Sequence, residues 1–408
     1  MSSALAHDNS PQPTVGRTRT LSPIVIRLGA LGDMINLSAL LHFLHRRYGR
    51  PCVVLGAGPW TEPVYRGSPD VAQVWTINRH VPLLLAPRSW QLLAWLRHSE
   101  PAPIYVCDDD KQLPRVQRLL TLSGVDARRT LLISRDAPRD GEHHLDRLIR
   151  FGQATPPALR AEHFPVPTLP HAYLRSPCLR PLERAELGAW ISAQGWSGRP
   201  LILVQVGNRR TNGTRRGRHR RLNRDDKCWP SARWGELLHR VHEHMPLAML
   251  LLCGAPGEAH MLRALEQQLR LGGSAVVAAL PLRRFFALCE LAHSMISVDT
   301  GPAHAAAALR VPLVVMFGAQ CQSRWLPRGP AGARIVGIGG PPRSTHVAQI
   351  SVDEVFSAWC TLSAAPRAIP SQEQRAGHGP QRASESISAV YACSGAVSSP
   401  ATLPWSSH

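Results

Sequence analysis

The sequence predicts an α/β protein made of two halves, each built around a mainly parallel sheet. Short apolar segments recur along the chain, segments with helical periodicity separate them, and a proline-rich stretch interrupts the alternation near the middle. Strands that alternate with helices form crossover connections, which place helices on both faces of a parallel sheet. A chain of 408 residues with 44% hydrophobic content is also long enough to bury two cores.

The first half opens with a short apolar strand at 23–28, a loop at 29–33 and a helix at 34–48, in which apolar residues recur at helical spacing. Four further strands and two clear helices continue the same alternation. The strands are predicted at 52–56, 71–77, 104–107 and 130–133, and the helices at 88–98 and 113–122.

The second half repeats this pattern. Its strands are predicted at 201–206, 248–253, 275–280, 295–298 and 313–317, and a closing helix at 352–359. The elements divide the chain into an N-terminal Rossmann-like domain at 21–165, an interdomain connection at 166–199 and a C-terminal Rossmann-like domain at 200–363. The ends, 1–20 and 364–408, are predicted to be disordered, because their composition offers too little apolar burial to offset the entropy of ordering.

The cysteines and the hydropathy pattern favour a cytosolic protein. Nine cysteines are scattered along the chain without a C-x-x-C pair or zinc-ligand spacing, which indicates reduced thiols. No apolar run approaches the roughly 18 to 20 residues of a membrane span. Residues 1–20 also lack the apolar region that a secretory signal requires.

A polar turn at 299–304 is the strongest candidate for a ligand site. It follows a predicted strand and precedes an alanine-rich helix, and open α/β sheets bind ligands at such strand ends. The helix start offers backbone N–H groups to an anion, Thr300 adds a hydroxyl, and Gly301 permits close approach of a ligand. His304 lies one helical turn further on, so a diphosphate suits this set. The alternative is that Asp299 and Thr300 only cap the helix.

A second candidate is the loop at 29–33, between the first strand and the first helix. Gly29 and Gly32 suit a loop that lies close to a ligand, although this spacing is common. Asp33 stands at the mouth of the loop, where its carboxylate can take a proton from an incoming hydroxyl. The alternative is an ordinary helix cap, in which the helix dipole favours a weakly basic carboxylate.

Together these segments resemble glycosyltransferase family 9, the lipopolysaccharide heptosyltransferases. Members usually begin with an Arg-x-Gly-x-Leu-Gly-Asp loop, matched at 27–33, and carry Asp-Thr-Gly-x-x-His before an alanine-rich helix, matched at 299–304. Between them lies a Lys-x-Trp-Pro cluster with a further Trp, matched at 227–230 and by Trp234. The resemblance extends over residues 22–362.

The resemblance implies a GT-B fold, in which two Rossmann-like domains face each other across a cleft. It implies that the N-terminal domain holds the acceptor and the C-terminal domain the nucleotide sugar, with inversion at the anomeric carbon and no required metal or cofactor. It points to ADP-heptose as the donor and to a lipopolysaccharide core or related glycan as the acceptor. The expected location is the cytoplasm, including peripheral contact with anionic lipid on the cytoplasmic face of the inner membrane.

The chemistry of such a transfer assigns roles to the candidate residues. The reaction needs an acceptor hydroxyl made more basic and a departing diphosphate kept neutralised. Asp33 is the candidate base, and Lys227 is a compact positive charge suited to the phosphates. The amides of Thr300 and Gly301 are candidates for holding the diphosphate. His304 is a candidate hydrogen-bond donor to a phosphate or to the sugar.

Other acidic and aromatic residues have competing interpretations. Asp299 is negative, so a hydroxyl of the donor sugar suits it better than a phosphate. Family members often place an acidic residue against the nucleotide ribose where this chain has Glu258; the alternative is a carboxylate that stabilises a helix start. Trp229 and Trp234 are expected to pack rather than to stack on a base. The acidic triplet at 108–110 is a minor candidate for a ligand site.

The net charge of +19 is concentrated in one arginine-rich segment after the strand at 201–206. The residues assigned to acceptor or membrane contact are Arg209, Arg210, Arg215 and Arg216. One interpretation is a positive arm that meets phosphates on an acceptor or on anionic lipid. The others are a solvated loop and a nucleic-acid contact, and no known nucleic-acid-binding motif accompanies the run.

Two functions of other classes are considered beside the transferase. A catalytically silent relative would act as a basic binding protein for anionic glycan, lipid or nucleic acid, but the chain keeps Asp33, Lys227 and His304 together. A nucleotide-sugar epimerase or NAD enzyme would also have two α/β halves. That interpretation lacks the full glycine fingerprint after the first strand, and no acidic ribose partner follows about 20 residues later.

Overall fold

The computed structural model describes residues 20–78, 81, 87–99, 101–108, 111–169, 171–208, 211 and 225–363. All of these residues lie in one compact unit, Met1–Arg367. The predictions of disorder for 1–20 and 364–408 concern residues that, apart from residue 20, lie outside the described part of the chain.

The first half of the unit is a three-layer α/β domain. Its strands are β1 Ile24–Arg27, β2 Cys52–Ala57, β3 Val71–Ile77, β4 Ile104–Val106 and β5 Thr130–Leu132. Its helices are α1 Leu31–Tyr48, α2 Thr61–Tyr65, α3 Pro87–His98, α4 Leu113–Ser123 and α5 His144–Gln153. The strands are all parallel and have the order β3-β2-β1-β4-β5. The strand order reverses at β1, so the loop after β1 lies at the position where ligands bind such sheets.

The second half contains six parallel strands. They are β6 Leu201–Gln205, β7 Met249–Cys253, β8 Ala275–Ala278, β9 Ser294–Val298, β10 Leu313–Phe317 and β11 Ile335–Gly339. The helices, with α6 in the connection, are α6 Pro181–Ala193, α7 Ser231–His244, α8 Ala259–Leu269, α9 Leu282–Leu291, α10 Gly301–Ala308, α11 Gln322–Trp325 and α12 Val352–Ser363. The strand order is β11-β10-β9-β6-β7-β8, and it reverses between β9 and β6. The turn at 299–304 follows β9, and the arginine-rich segment follows β6 in sequence.

The fold class predicted from the sequence is confirmed, and three details differ. Helix α1 begins at Leu31 rather than at residue 34, because Asp33 accepts a hydrogen bond from the Ala30 amide and closes the first turn early. Strand β11 was not predicted, since its two glycines weaken the strand pattern and its pairing with β10 decides its conformation. The predicted connection at 166–199 contains helix α6, which starts with Pro181 at a favourable first position.

One apolar core continues from the first half into the second. Helix α1 packs against α10, so that Leu37 and Leu40 belong to the same buried cluster as Ala303 and Ala307. The alanines of α10 allow this close helix approach because their side chains end at Cβ. The buried contact fixes the loop before α1 and the turn before α10 next to each other.

A buried ion pair joins the connection to both halves. Arg283 on α9 donates to both carboxylate oxygens of Glu183 on α6, to Pro63 O on α2 and to Cys178 O in the connection. The hydrogen bonds from Arg283 lower the pKa of Glu183 to about 2. Both side chains are about nine-tenths buried. Among the described residues, no helix is long and apolar enough to cross a bilayer.

Candidate active site

The two segments that carry the predicted motifs meet where α1 and α10 begin. A Cβ added to Gly301 would lie 2.9 Å from the backbone nitrogen of Gly32 and equally close to the Leu31 side chain. Only glycine at position 301 allows the two helix starts to approach this closely. The carboxyl edge of the first sheet is therefore joined to the carboxyl edge of the second at this point.

Asp33 lies in the first turn of α1 and is held from two sides. Its Oδ1 accepts from Arg27 Nη2 at 2.8 Å, and its Oδ2 accepts from the Ala30 amide at 2.7 Å. A Cβ on Gly29 would lie 2.5 Å from the Asp33 Cβ, so the glycine makes room for the carboxyl group. The N-cap of α1 is Ala30, so Asp33 is not the N-cap that the alternative interpretation made it; it is the third residue of the helix and accepts from the Ala30 amide. The carboxylate remains partly exposed, which leaves it accessible to a ligand.

The surroundings of Asp33 determine its protonation. Burial acts to raise the pKa of Asp33, but the charge and hydrogen bond of Arg27 and the Ala30 amide outweigh it and leave the pKa below its usual value. Asp33 is therefore an anion at neutral pH. It is also a weak base, which can accept a proton only from a hydroxyl whose acidity has already risen.

Lys227, Asp299 and His304 form a cluster at the end of β9. Lys227 Nζ donates to Asp299 Oδ2 at 2.6 Å and to the Asp299 carbonyl at 2.9 Å. His304 Nε2 lies 3.9 Å from Asp299 Oδ1. Burial lowers the pKa of His304, the positive charge of Lys227 lowers it further, and the result is a neutral imidazole at neutral pH. Nδ1 of His304 is buried and has no hydrogen-bond partner among the described residues.

The start of α10 presents few backbone donors. Pro302 has no N–H, and the amides of Ala303 and His304 both approach the Thr300 carbonyl. The backbone hydrogen bonds of this turn use the Ala303 and His304 amides, and the prediction that the Thr300 and Gly301 amides hold a diphosphate stays a prediction. The Thr300 hydroxyl makes no side-chain cap and is 3.2 Å from the Val298 carbonyl.

Glu258 is buried at the end of β7 and is linked to the Lys227 cluster through hydrogen bonds. Its Oε1 accepts from the Thr211 hydroxyl, whose oxygen accepts from the Asn208 amide. Asn208 Nδ2 donates to Asp225 Oδ2 at 2.7 Å, and Asp225 Oδ1 accepts from the Lys227 amide at 3.3 Å. The path runs along the carboxyl edge of β7 and β6, where a nucleotide lies in open α/β sheets.

The arginine-rich segment lies almost wholly outside the described residues, and this includes Arg209, Arg210, Arg215 and Arg216. Asn208 and Asp225 are both buried and bonded to each other, and Thr211 is buried and bonded to Asn208 and Glu258. The segment therefore leaves and rejoins the domain at the carboxyl end of β6, next to Glu258 and Lys227.

The contacts of Trp229, Trp234 and Asp108 show what these three side chains do in the fold. Trp229 and Trp234 are buried and pack edge to face with ring centroids 5.0 Å apart, so the packing interpretation is confirmed. Asp108 is buried and accepts from the Leu28 amide with both oxygens at 2.9 Å. It fixes the end of β1, while Asp109 and Asp110 lie outside the described residues.

Sequence reasoning missed three residues beside Asp33. Arg27 was matched only as a motif position, yet it supplies the ion pair to Asp33. His144, at the start of α5, stacks on Trp325 of α11 with ring centroids 4.6 Å apart. Burial and the nearby charge of Arg27 lower the pKa of His144 to about 3, so it is neutral. No local pattern predicts this stack, because its members are far apart in sequence and lie in different halves.

Comparisons with known proteins agree with the fold and the motifs. Residues 220–349 match the family model described as glycosyltransferase family 9 (heptosyltransferase). No curated protein matches the chain in sequence. The chain is similar to the family 9 glycosyl transferase from Veillonella parvula DSM 2008, with a TM-score of 0.64, 15% identity, and coverage of 85% of this chain and 98% of that one.

Two Escherichia coli enzymes have the same fold. ADP-heptose LPS heptosyltransferase II gives a TM-score of 0.60 at 18% identity, covering 84% of this chain and 99% of its own. Heptosyltransferase WaaC with ADP gives 0.53 at 15% identity, covering 84% of this chain and 100% of its own. The shared fold extends over the described halves, and the family match lies in the second. Residues 220–349 therefore match glycosyltransferase family 9 in sequence, and the described part of the chain has the GT-B fold of the heptosyltransferases.

Proposed function

We propose that this glycosyltransferase moves a heptose from ADP-heptose to a lipopolysaccharide core or a related glycan, with inversion and without a metal ion. The observation that carries the proposal is the meeting of Asp33 with the Lys227, Asp299 and His304 cluster at the contact of α1 with α10. Similar structures are named as heptosyltransferases and include one with ADP and one with an ADP-heptose analogue. These names support, for this chain, an adenine nucleotide sugar as donor.

The proposed reaction is a single displacement. Asp33 accepts the proton of an acceptor hydroxyl while the hydroxyl oxygen bonds to the anomeric carbon of the donor sugar. The bond from that carbon to the diphosphate oxygen breaks at the same time, and the diphosphate leaves as ADP. Because Asp33 is a weak base, proton transfer follows bond formation closely, when the hydroxyl has become acidic. Attack opposite to the leaving group inverts the anomeric carbon.

Stabilisation of the leaving diphosphate falls to the second half. Lys227 holds a positive charge beside the start of α10, where the amides of Thr300 and Gly301 and the helix dipole favour an anion. A bound phosphate competes with Asp299 for the Lys227 ammonium. Asp299 is then able to accept a hydrogen bond from a sugar hydroxyl, and the neutral His304 can donate one without adding charge.

The nucleotide ribose is assigned to Glu258. Its carboxylate lies at the end of β7, where both oxygens already accept hydrogen bonds, from the Thr211 hydroxyl and the Ala255 amide. A carboxylate oxygen has two acceptor positions, so Glu258 can accept from a ribose hydroxyl while it keeps one of these bonds. The segment containing Arg209, Arg210, Arg215 and Arg216 starts nearby and is assigned to phosphates of the acceptor or of anionic lipid. This assignment agrees with peripheral action at the inner face of the membrane.

Replacing the base tests the proposal. In Asp33→Asn the amide keeps the shape but cannot accept a proton, so transfer should fall by roughly a hundredfold or more while donor affinity stays within a few-fold. Initial rates of ADP release with the lipopolysaccharide acceptor, and calorimetry with ADP, measure the two quantities. Asp146→Asn, in a surface ion pair with Arg328, is the control. Turnover of Asp33→Asn close to that of the parent would remove Asp33 from the catalytic role.

The nature of the bound ligand separates the proposal from the other classes. Mass spectrometry of the protein after incubation with NAD, UDP-sugars and ADP-heptose should detect retention of ADP-heptose. Retention of NAD, or retention of a nucleotide sugar that is released as an epimer without any acceptor, would contradict the transferase assignment.

A further inference from the structure

The outer face of the first domain is formed by α3 and α4. The inner side of α3, with Leu92 and Leu96, packs on the sheet, and so does the inner side of α4, with Val116 and Leu119. Arg97 Nη2 donates to the Leu122 carbonyl at 3.4 Å and links the two helices. Trp90 and Arg97 of α3 and Arg118 and Leu122 of α4 are exposed.

The exposed side combines arginines with large apolar side chains. We call Trp90, Arg97, Arg118 and Leu122 the Trp90 face. Trp90 is 57% exposed and Leu122 is 37% exposed. Neither helix contains an aspartate or a glutamate, whereas the exposed sides of α7 and α8 mix both charges. The described residues of α3 and α4 therefore carry only positive charge beside an exposed tryptophan.

The spacing aligns these side chains. Trp90 and Arg97 are two helical turns apart on α3, and Arg118 and Leu122 are one turn apart on α4, so each pair forms one stripe along its helix. Arg97 near the end of α3 donates to the Leu122 carbonyl near the end of α4, so the two stripes meet at the C-terminal ends of the helices. The face is therefore about as long as α3, roughly 18 Å for a helix of 12 residues.

We propose that the Trp90 face docks on an anionic lipid bilayer. Tryptophan prefers the boundary between headgroups and acyl chains, where its ring is buried and its N–H remains hydrated. Arginines around it pair with lipid phosphates while their aliphatic stems cover apolar area. A membrane is favoured over a nucleic acid because Trp90 and Leu122 add apolar area that contact with a phosphate backbone does not use. The inference extends the proposed function by placing a lipid-linked acceptor beside the first domain.

The position of the face relative to the site agrees with this role. Helix α4 follows β4, so its first residues lie near the carboxyl edge of the first sheet, the edge that carries Asp33. A domain lying on a bilayer through α3 and α4 keeps that edge close to the membrane surface. Trp90, near the start of α3, lies toward that edge, so the sugars of an acceptor held in the bilayer by its acyl chains would extend toward the edge that carries Asp33.

Vesicle binding tests the inference without donor, acceptor or turnover, so its outcome is independent of the proposed function. The full chain is mixed with phosphatidylcholine vesicles with or without 30% phosphatidylglycerol, and flotation separates the bound fraction. Arg97→Gln with Arg118→Gln should lower the vesicle partition coefficient at least tenfold, because each basic residue near an anionic surface contributes about 1 kcal/mol. Trp90→Ser should lower it several-fold. In 0.5 M salt, the loss of vesicle binding caused by the two arginine substitutions should become smaller, because salt screens exposed charges. The loss caused by Trp90→Ser should not change.

Matched controls keep the test specific. Arg46→Gln with Arg263→Gln removes the same charge from exposed positions elsewhere, and Leu247→Ser removes a 76% exposed apolar side chain. These variants should bind vesicles like the parent. The experiment is repeated in a background in which Arg209, Arg210, Arg215 and Arg216 are glutamine, so that the arginine-rich segment cannot mask the effect. Thermal unfolding shows whether each variant is folded. If a test variant is misfolded, Arg118→Gln with Leu122→Gln is used in its place.

Three results would overturn the proposal. Equal losses in the test and control arginine pairs would mean that only net charge matters and would overturn the assignment to this face. Unchanged binding of Trp90→Ser, together with displacement of the parent from vesicles by RNA, would assign the face to a polyanion instead. Absence of vesicle binding by the parent would also overturn the proposal.

Discussion

At the scale of single residues, the site depends on how Asp33 is held. Arg27 and the Ala30 amide orient both carboxylate oxygens, and they favour the charged form over the neutral one. The same contacts that cap α1 therefore keep Asp33 ionised. The contact with the Ala30 amide is compatible with the proposed role of Asp33 as the base, because the carboxylate stays ionised and partly exposed.

The Arg27 contact predicts a pH dependence. A lowered pKa means that activity depending on ionised Asp33 is lost only when the pH falls below the usual aspartate range, about 3.9. Arg27→Met removes the opposite charge, so the acid limb of kcat/KM should move to higher pH by roughly one pH unit or more. Arg27→Lys keeps the charge and should move it less. An acid limb that is the same in all three proteins would show that Asp33 does not control it.

Lys227 and His304 carry a prediction about donor affinity. If both contact the donor, Lys227→Ala and His304→Ala should each weaken ADP-heptose binding by about 1.5–3 kcal/mol, the cost of losing a charge-assisted hydrogen bond. Isothermal calorimetry measures the affinity, and the exposed Lys111→Ala is the matched control. Donor affinities equal to that of the parent in both variants would place the diphosphate elsewhere.

At the scale of elements, the starts of α1 and α10 build the site, and the arginine-rich segment begins beside it. The position of both helix starts follows from strand order, because β1 and β9 end at reversal points of their sheets. The segment between Asn208 and Asp225 is tied to the same edge by the hydrogen bond that joins those two residues. The two ends of the segment, Asn208 and Asp225, therefore lie on the hydrogen-bonded path between Glu258 and Lys227.

Neutralising the segment should affect the acceptor and not the donor. Arg209, Arg210, Arg215 and Arg216 changed together to glutamine should raise the acceptor KM several-fold at low salt, because exposed charges attract phosphates on the acceptor. The difference should diminish as salt increases, since exposed charges are screened over about 8 Å at physiological ionic strength. Steady-state kinetics at several salt concentrations measure this. Unchanged acceptor kinetics would leave a solvated loop, and loss of RNA binding alone would favour the nucleic-acid interpretation.

At the scale of the whole molecule, Arg283 and Glu183 hold together α2, the connection and α9. Breaking a buried ion pair leaves one charge uncompensated, so Glu183→Gln should lower the free energy of unfolding by about 3 kcal/mol at pH 7. Glu290→Gln is the matched control, because its pair with Arg184 is partly exposed and should contribute less than about 1 kcal/mol.

The pH dependence of this effect follows from the pKa of Glu183. A lowered pKa stabilises the folded state above the unfolded pKa, near 4.3, and the stabilisation is lost as the pH falls toward about 2. The difference between parent and Glu183→Gln should therefore stay constant from pH 7 to about 5 and then shrink. Chemical denaturation at each pH measures it. A difference that grows on acidification would contradict the ion-pair explanation.

The sequence by itself determined the fold class and predicted the segments that form the candidate site. Strands alternating with helices follow from local periodicity, and the turn at 299–304 and the loop at 29–33 follow from motifs within single segments. Pairing with β10 decides that β11 is a strand, and the hydrogen bond from the Ala30 amide to Asp33 decides where α1 starts. The local sequence pattern predicts such strand edges and helix starts only weakly.

Only the tertiary structure decided which residues meet. The contact of Gly32 with Gly301, the Lys227–Asp299 bond, the path from Glu258 through Thr211 to Asp225, and the stack of His144 on Trp325 all join residues distant in sequence. The physical reason is that helical and strand periodicity is encoded over a few residues, whereas burial, pKa and hydrogen-bond partners depend on which elements pack together.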